Sequence, residues 1–268
     1  MKALAVSPFD YLSRMWKMRY FLVSLVGNDI RTRYRRSFIG IGWSLVRPLS
    51  MTAIFCVVFQ KIFHAELGDY VPFVLIGMTV WQFLLECLTT GCHSFTRATA
   101  YIRQQPLPLA IFPLRSVLCS GFQSIMALGA ALAVTWFFRG FGNIAVLPLL
   151  IPAMTLLLFL GWFLAILSSV AQSYFPDTSH LLEVSLQFLF YLTPIVYQQT
   201  YLEGRGRLSL ILHYNPVTYL LDLVRVPMVD ARMPAWSSIQ VSLLCLFAVG
   251  FMAWIAMRRH ERTLVFWV

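Results

Sequence analysis

Six predominantly apolar stretches, each of about 20 residues or more, lie at approximately 38–62, 70–91, 109–138, 145–171, 180–198 and 236–257 and fill over half of the chain. Each is long enough to cross the roughly 30 Å hydrocarbon layer of a bilayer as an α-helix. A backbone in lipid must satisfy its own hydrogen bonds, so such stretches fold as helices packed side by side. Composition rules out a soluble domain: 59% of the 268 residues are apolar and 12% are charged, whereas about a quarter of a soluble domain is charged. The formal net charge of +10 would point to nucleic acid in a soluble protein. Here Lys and Arg flank the apolar stretches, so membrane topology accounts for them and no nucleic-acid partner is expected.

The expected fold is an all-α integral membrane protein forming a single transmembrane domain over 1–268. Residues 8–36 form an interfacial helix and basic turn, 38–198 hold spans one to five, 199–235 form a polar segment, 236–257 form span six, and 258–268 form a tail. No repeat or low-complexity tract marks a second domain, and Met1 to Ser7 lack the pattern of a signal peptide. The five cysteines, Cys56, Cys87, Cys92, Cys119 and Cys245, form no Cys-x-x-Cys pair. They read as apolar packing residues, not as a disulfide framework or zinc site.

Orientation follows from basic residues, which stay on the cytoplasmic side. Residues 1–37 carry eight, and the tail carries Arg258, Arg259 and Arg262, so both ends are expected inside a bacterial inner membrane. The connection after span two adds Arg97 and Arg103 without an acid, and the connection after span one offers Lys61 against Glu66 and Asp69. The connection after span four has Asp177 and no base, so its side follows only from counting spans.

A helix that does not cross precedes the first span. Ser7-Pro8-Phe9-Asp10 reads as its start, with Ser as N-cap, Pro at the first helical position and an acid near the positive helix end. Leu12, Met15, Trp16, Leu22, Val23, Val26 and Ile30 recur at helical spacing while Arg14 and Lys17 fall off that stripe, as in an amphipathic helix lying on the inner leaflet. Gly27, followed by Asn28 and Asp29, predicts a stop and a bend before the basic run.

Catalytic patterns are missing: there is no His-Glu-x-x-His, Gly-x-Ser-x-Gly or Asp-rich metal motif. No Gly precedes a Lys, so no P-loop cradles ATP in this chain. Neither a metal nor a cofactor is expected here. Intramembrane charge is expensive and marks candidates by default, namely Arg47, Glu86, Arg115 and Glu183, with His180 beside the last. Glu86 and Arg115 have a structural reading as well, pairing with each other or reaching to the interface; Arg47, one turn after Trp43, reads as facing a polar cavity. The run Arg31, Arg33, Tyr34, Arg35, Arg36 supports two compatible readings. It can anchor the chain at an anionic leaflet, worth about 1 kcal/mol per base, and its guanidiniums can bind the phosphates of a lipid head group. Trp43, Phe55, Phe59, Trp81, Phe83, Phe188, Phe190, Tyr191 and Tyr197 are either lipid-facing bulk or walls of a path on which the apolar faces of sugar rings stack. Pro194 removes a backbone donor and should kink or end span five.

The stretch Asp29-Ile-Arg-Thr-Arg-Tyr-Arg-Arg-Ser-Phe-Ile-Gly-Ile-Gly-Trp-Ser-Leu-Val-Arg-Pro-Leu49 resembles the signature that opens the permease subunits of ABC-type polysaccharide exporters, which move O-antigen, capsule and teichoic acid chains. Phe73 to Phe83, Phe190-Tyr-Leu-Thr-Pro-Ile-Val-Tyr197 and Asn215-Pro-Val-Thr-Tyr-Leu-Leu-Asp-Leu-Val-Arg225 agree with it, and the similarity covers nearly the whole chain. The resemblance implies six spans, an initial amphipathic helix, and two permease copies paired with two cytosolic ATPase subunits that bind the ATP and Mg. It assigns His93 to Phe112 to the coupling helix against the ATPase, with His93, Arg97, Tyr101 and Arg103 as contacts. It assigns 199–225 to short re-entrant helices at the outer mouth, with Pro194, Asn215 and Pro216 at its gate. Residues 103–113 depart from it by lacking the Lys that such proteins often carry before the Phe-Pro.

The leading expectation is the membrane half of an exporter of polysaccharide linked to a polyprenyl pyrophosphate. Arg31, Arg33, Arg35, Arg36 and Arg47 would receive the pyrophosphate, and Tyr34 with the aromatics would line the glycan path. The alternatives are an ABC permease for a drug or simple lipid, an integral-membrane glycan-modifying transferase, and a structural scaffold.

Overall fold

The computed structural model describes residues 8–35, 37, 40–63, 66–104, 107–198 and 214–267. Among them every regular element is helical. In chain order they are α1 (Pro8–Lys17), α2 (Arg19–Tyr34), α3 (Trp43–Phe63) after a tight turn at Gly40–Gly42, α4 (Leu67–Cys92), α5 (Ser94–Arg97) and α6 (Thr99–Gln104). There follow α7 (Ile111–Arg139), α8 (Leu150–Tyr174), α9 (Thr178–Leu192), α10 (Pro216–Arg225) and α11 (Trp236–Trp267). The helix α11 runs from the sixth apolar stretch into the basic tail without a break.

Among the described residues five helical stretches are long and apolar enough to cross a membrane: Gly40–Phe59, Leu67–Cys92, Ile111–Arg139, Ile144–Tyr174 and Trp236–His260. The stretch at 180–198 differs. Its helix α9 has 15 residues, about 22 Å at 1.5 Å per residue and short of the bilayer core. Pro194 is the reason, because proline drives the residue before it out of the helical region, and Thr193 is extended with φ −102° and ψ 136°.

At the centre stands α4. Of its most apolar 18-residue window 67% is buried, against 11% for α11, so α4 is the axis and α11 presents Leu244, Phe247 and Phe251 outward. Bundles in lipid gain little from hydrophobic contrast and rely on close backbone approach. The α4–α8 crossing shows how. A Cβ on Gly91 would stand 2.8 Å from Ala165 Cα, and in the space glycine leaves, Ser169 Oγ donates to Gly91 O at 2.7 Å while standing 2.7 Å from Ser94 Oγ.

The interfacial helix starts at Pro8; Ser7, its expected cap, lies outside the described residues. Met15, Leu22 and Leu25 are buried while Leu12, Trp16 and Val23 stay exposed, so the apolar stripe is shared between the bundle and the lipid side. The turn comes at Met18, and α2 runs through Gly27 unbroken, which corrects the expected bend. A glycine inside a helix costs about 1 kcal/mol, and a partner on α7 outweighs it. Asp29, instead of capping a new helix, is held by a bidentate fork from Arg115, with Nε donating to Oδ2 at 2.6 Å and an NH2 contact to Oδ1. Arg115 therefore pairs with Asp29 and not with Glu86, a second correction; Asp29 lies on the same helix end as the basic run and reaches α7 first. Nearby, Tyr11 Oη accepts from Ala110 N at 3.2 Å and Trp162 Nε1 donates to Ala110 O at 3.0 Å, locking the start of α7 between α1 and α8.

The opposite end of the bundle is closed around the broken end of α9. Arg225 at the end of α10 is buried and donates NH1 to Pro194 O at 2.9 Å and NH2 to Ile195 O at 3.2 Å. Its guanidinium carbon sits 3.7 Å from the centroid of Phe73, and it lies where a Cβ on Gly77 would be. Burial lowers its pKa to about 10 against the opposing pull of Asp222 and Asp230, so it stays charged at neutral pH. Tyr70 Oη donates to Val196 O at 2.9 Å, and Asn215 caps α10 by accepting from Val217 N at 3.0 Å while donating Nδ2 to Thr193 Oγ1 at 2.8 Å. Carbonyls freed by Pro194 thus acquire side-chain donors.

Two outcomes follow from these contacts. Arg225→Met should cost about 2–3 kcal/mol by stranding buried carbonyls, and Gly77→Ala should give a comparable loss by evicting the guanidinium, both read as lowered thermal unfolding of purified protein and faster proteolysis near 193–197. Asp29→Asn should cost about 2 kcal/mol by leaving Arg115 unpaired and speed hydrogen exchange in α2, and the charge exchange Asp29→Arg with Arg115→Asp should recover part of the protection.

Candidate functional site

Where α2, α3, α4 and α7 diverge they enclose a cavity of about 310 Å³. Polar residues on two helices make its floor: Thr79, Gln82 and Glu86 on α4, and Ser120, Gln123 and Ser124 on α7. Spacings of three, four and seven on α4, and of three and four from Ser120 on α7, put each set on one face of its helix. Arg33 and Tyr34 come from the end of α2, and Trp43 and Arg47 from the start of α3, so two guanidiniums stand at one side of the chamber. Gln82 Nε2 donates to Glu86 Oε1 at 3.3 Å.

Two further cavities continue the first. One of about 290 Å³ shares Arg33, Ser120 and Gln123 with it and reaches Asp29, Arg97 and Arg115. Another of about 590 Å³ shares Arg47, Pro48 and Gln82 and extends to Glu183 and Gln187 on α9. The last is aromatic. Phe55, Trp81, Phe190 and Tyr191 line it, with Phe190 stacked on Phe55 at 6.0 Å and edge-on to Trp81 at 5.7 Å between centroids. A polar, basic zone thus grades into an aromatic one along a shared wall.

Of the basic run, Arg33 reaches both polar cavities, whereas Arg31 and Arg35 are exposed and line neither; Arg36 lies outside the described residues. Arg47 joins the basic zone to the aromatic one. Phe59 packs on Phe55 at 5.9 Å, and Tyr197 Oη donates to Tyr191 O at 3.2 Å, so these two support the aromatic wall from behind. Glu183 Oε2 is 3.9 Å from His180 Nδ1, both exposed.

The expected coupling region folds as α5 and α6. His93 joins α4 to α5, Arg97 lines the second cavity, and Tyr101 meets Phe21 of α2 edge-on at 5.9 Å; Arg103 lies in the last turn of α6. Pro194, Asn215 and Pro216 gather around the broken end of α9 described above.

Sequence reasoning missed Gln82, Ser120, Gln123 and Ser124, and it treated Arg225 only as part of a motif. The signal was present as polar side chains recurring on one face of an apolar helix. Among the described residues no three His, Cys, Asp or Glu side chains gather as a metal site requires.

Residues 20–229 match the family described as ABC-2 type transporter. Two proteins from Klebsiella pneumoniae, each called O-antigen export system permease protein RfbA, are 23% identical over 215 and 222 residues, covering 76% of this chain and 81% of each relative. A protein of the same description from Myxococcus xanthus is 22% identical over 229 residues, 82% of this chain and 84% of its own length. Most of the chain lies inside the family match and its apolar helices make it a multi-pass membrane protein, so it belongs to the ABC-2 type transporter family.

Proposed function

We propose that this chain is the membrane subunit of an ATP-driven exporter that moves a polysaccharide linked to a polyprenyl pyrophosphate out of the cytoplasm across the inner membrane. The observation that carries this reading is the graded cavity, with Arg33 and Arg47 at one end and Phe55, Trp81, Phe190 and Tyr191 at the other. Pyrophosphate is bound best by forked donors that match its oxygens in pairs. Arg31 and Arg35 add positive potential on the adjoining surface, drawing the head group toward Arg33; Arg36, next in sequence, adds a further positive charge to the run. A glycan following the pyrophosphate meets aromatic rings, which stack on sugar C–H faces without holding any one hydroxyl pattern tightly. The names of the three relatives support O-antigen-like cargo.

Energy comes from outside the chain. Two cytosolic ATPase subunits bind ATP and Mg, and two copies of this chain form the conduit. The basic end faces the cytoplasm, where α5 and α6 receive the ATPase stroke. Tyr101 passes it to Phe21 of α2, and α2 carries Arg33, so closure of the ATPase pair moves a head-group ligand directly. In the same orientation Pro194, Asn215 and Pro216 lie at the outer mouth.

Arg33→Gln with Arg47→Gln, and separately Arg35→Gln with Arg36→Gln, should each abolish surface polysaccharide in a complemented deletion strain while the ATPase subunit still co-purifies. Normal surface polysaccharide in both double variants rejects the head-group role. For the assembled transporter, ATPase activity should rise with purified lipid-linked glycan; a rise with amphipathic drugs alone points instead to a drug or simple-lipid permease.

A further inference from the structure

Serines and threonines inside spanning helices commonly return their hydroxyl to a carbonyl one turn back, and this bundle follows the habit. Thr79 donates to Leu75 O, Thr89 to Leu85 O, Thr90 to Glu86 O and Thr135 to Ala131 O, all within 2.6–2.9 Å. Ser120 and Ser124 on α7 do not. They are 3% and 6% exposed, Gln123 between them is 8% exposed, and none of the three side chains has a hydrogen-bond partner among the described residues although all three line the first cavity. Thr52, Thr218 and Ser242 also lack a partner but are buried singly, whereas Ser120, Gln123 and Ser124 line a cavity that a polar ligand can enter. Three such groups, on one face and aimed into one chamber, describe a site whose partner arrives with a ligand.

We propose that Ser120, Gln123 and Ser124, facing the Gln82–Glu86 pair, bind the hydroxyl groups of the sugar attached directly to the carrier's pyrophosphate. This rests on the exporter reading and adds to it the group that is read for specificity. The chemistry of the wall selects this ligand. Hydroxyls and amides both donate and accept, as sugar hydroxyls do, whereas an anion requires donors only and is opposed by the Glu86 carboxylate. A cation would need more than one acid, and among the described residues Glu86 is the single carboxylate on this wall. Trp43 and Phe83 supply apolar faces, and about 310 Å³ is in the range of small-ligand sites. Arg33 and Arg47 border the same chamber, so a pyrophosphate held there delivers its first sugar to the amide and the two serines.

The test uses the full chain in lipid nanodiscs and reads quenching of its tryptophan fluorescence. The probes are polyprenyl pyrophosphate and the same lipid carrying one hexose. In wild type the hexose should tighten binding roughly tenfold, the equivalent of one or two hydrogen bonds. Gln123→Leu and, independently, Ser120→Ala with Ser124→Ala should bring the ratio of the two affinities close to one. The serine pair changes little volume, so one variant remains informative where the other fails to fold. Equal affinities in wild type, or an unchanged ratio in both variants, overturn the sugar site alone. Failure of either lipid to bind wild type overturns the head-group reading and the sugar site with it.

Discussion

Inside a bilayer no water is at hand to rescue a polar group, and the arrangement of nearly every polar side chain in this bundle follows from that scarcity. Threonines on α4 and α7 fold their hydroxyls back onto their own helix. Ser169 joins α8 to the Gly91 carbonyl. Arg115 takes both oxygens of Asp29, and Arg225 takes the two carbonyls that a proline has stripped of helical partners. Thr52, Thr218 and Ser242 are buried singly without a partner, whereas Ser120, Gln123 and Ser124 stand together on one helix and line one chamber. Burial alone does not mark the chamber, because Ser120 is as deeply buried as Ser94, and Ser94 meets Ser169 while Ser120 lines the cavity.

The same scarcity explains the two ends. At the basic end a charged helix must lie against the bundle without entering it, and one bidentate pair with a tyrosine–backbone contact does this. At the other end the chain leaves helical geometry inside the protein, which is tolerated only where neighbours replace the lost hydrogen bonds. Arg225, Tyr70 and Asn215 provide the replacements from α10 and α4. A guanidinium suits the task because its planar fork spans consecutive carbonyls, which a single ammonium does not.

Much of this architecture is legible in the amino-acid sequence. Apolar run length predicts six spans, of which five form long helices, since lipid thickness leaves few alternatives; the remaining one, at 180–198, is cut short where Pro194 ends α9 through a purely local rule. Positions decided by tertiary partners are not legible. Gly27, Asn28 and Asp29 have the local grammar of a helix stop, and it is partners on α7, Arg115 above all and 86 residues away, with Cys119 beside it, that hold α2 against the bundle. By the same token Arg115 finds its acid on the interfacial helix, a neighbour that spacing within spans cannot reveal. The stripe of Gln82 and Glu86 on α4 and of Ser120, Gln123 and Ser124 on α7 is readable in principle, because polar periodicity in an apolar helix is as informative as its inverse. Its signal is faint because a serine hydroxyl or a neutral amide costs far less in lipid than a charge does, so most such groups in a span stand for nothing more than a bond to their own helix.

One consequence joins the ends to the middle. Arg33 is on the same rigid helix as Asp29 and Phe21, which engage α7 and α6 respectively. Along α2 a displacement of α6 passes the Asp29–Arg115 pair on the way to Arg33, and that pair lines the second cavity, which shares Arg33, Ser120 and Gln123 with the first. Under the proposed function the pair is a pivot rather than a weld. It is partly exposed, at 19% for the Arg115 side chain and 38% for Asp29, so water can enter as it rotates, and the cost of moving it is far below that of breaking a fully buried ion pair. On that proposal, a pivot between Phe21 and Arg33 would let Arg33 shift while the α4–α8 crossing, closed by Gly91 and Ser169, stays fixed.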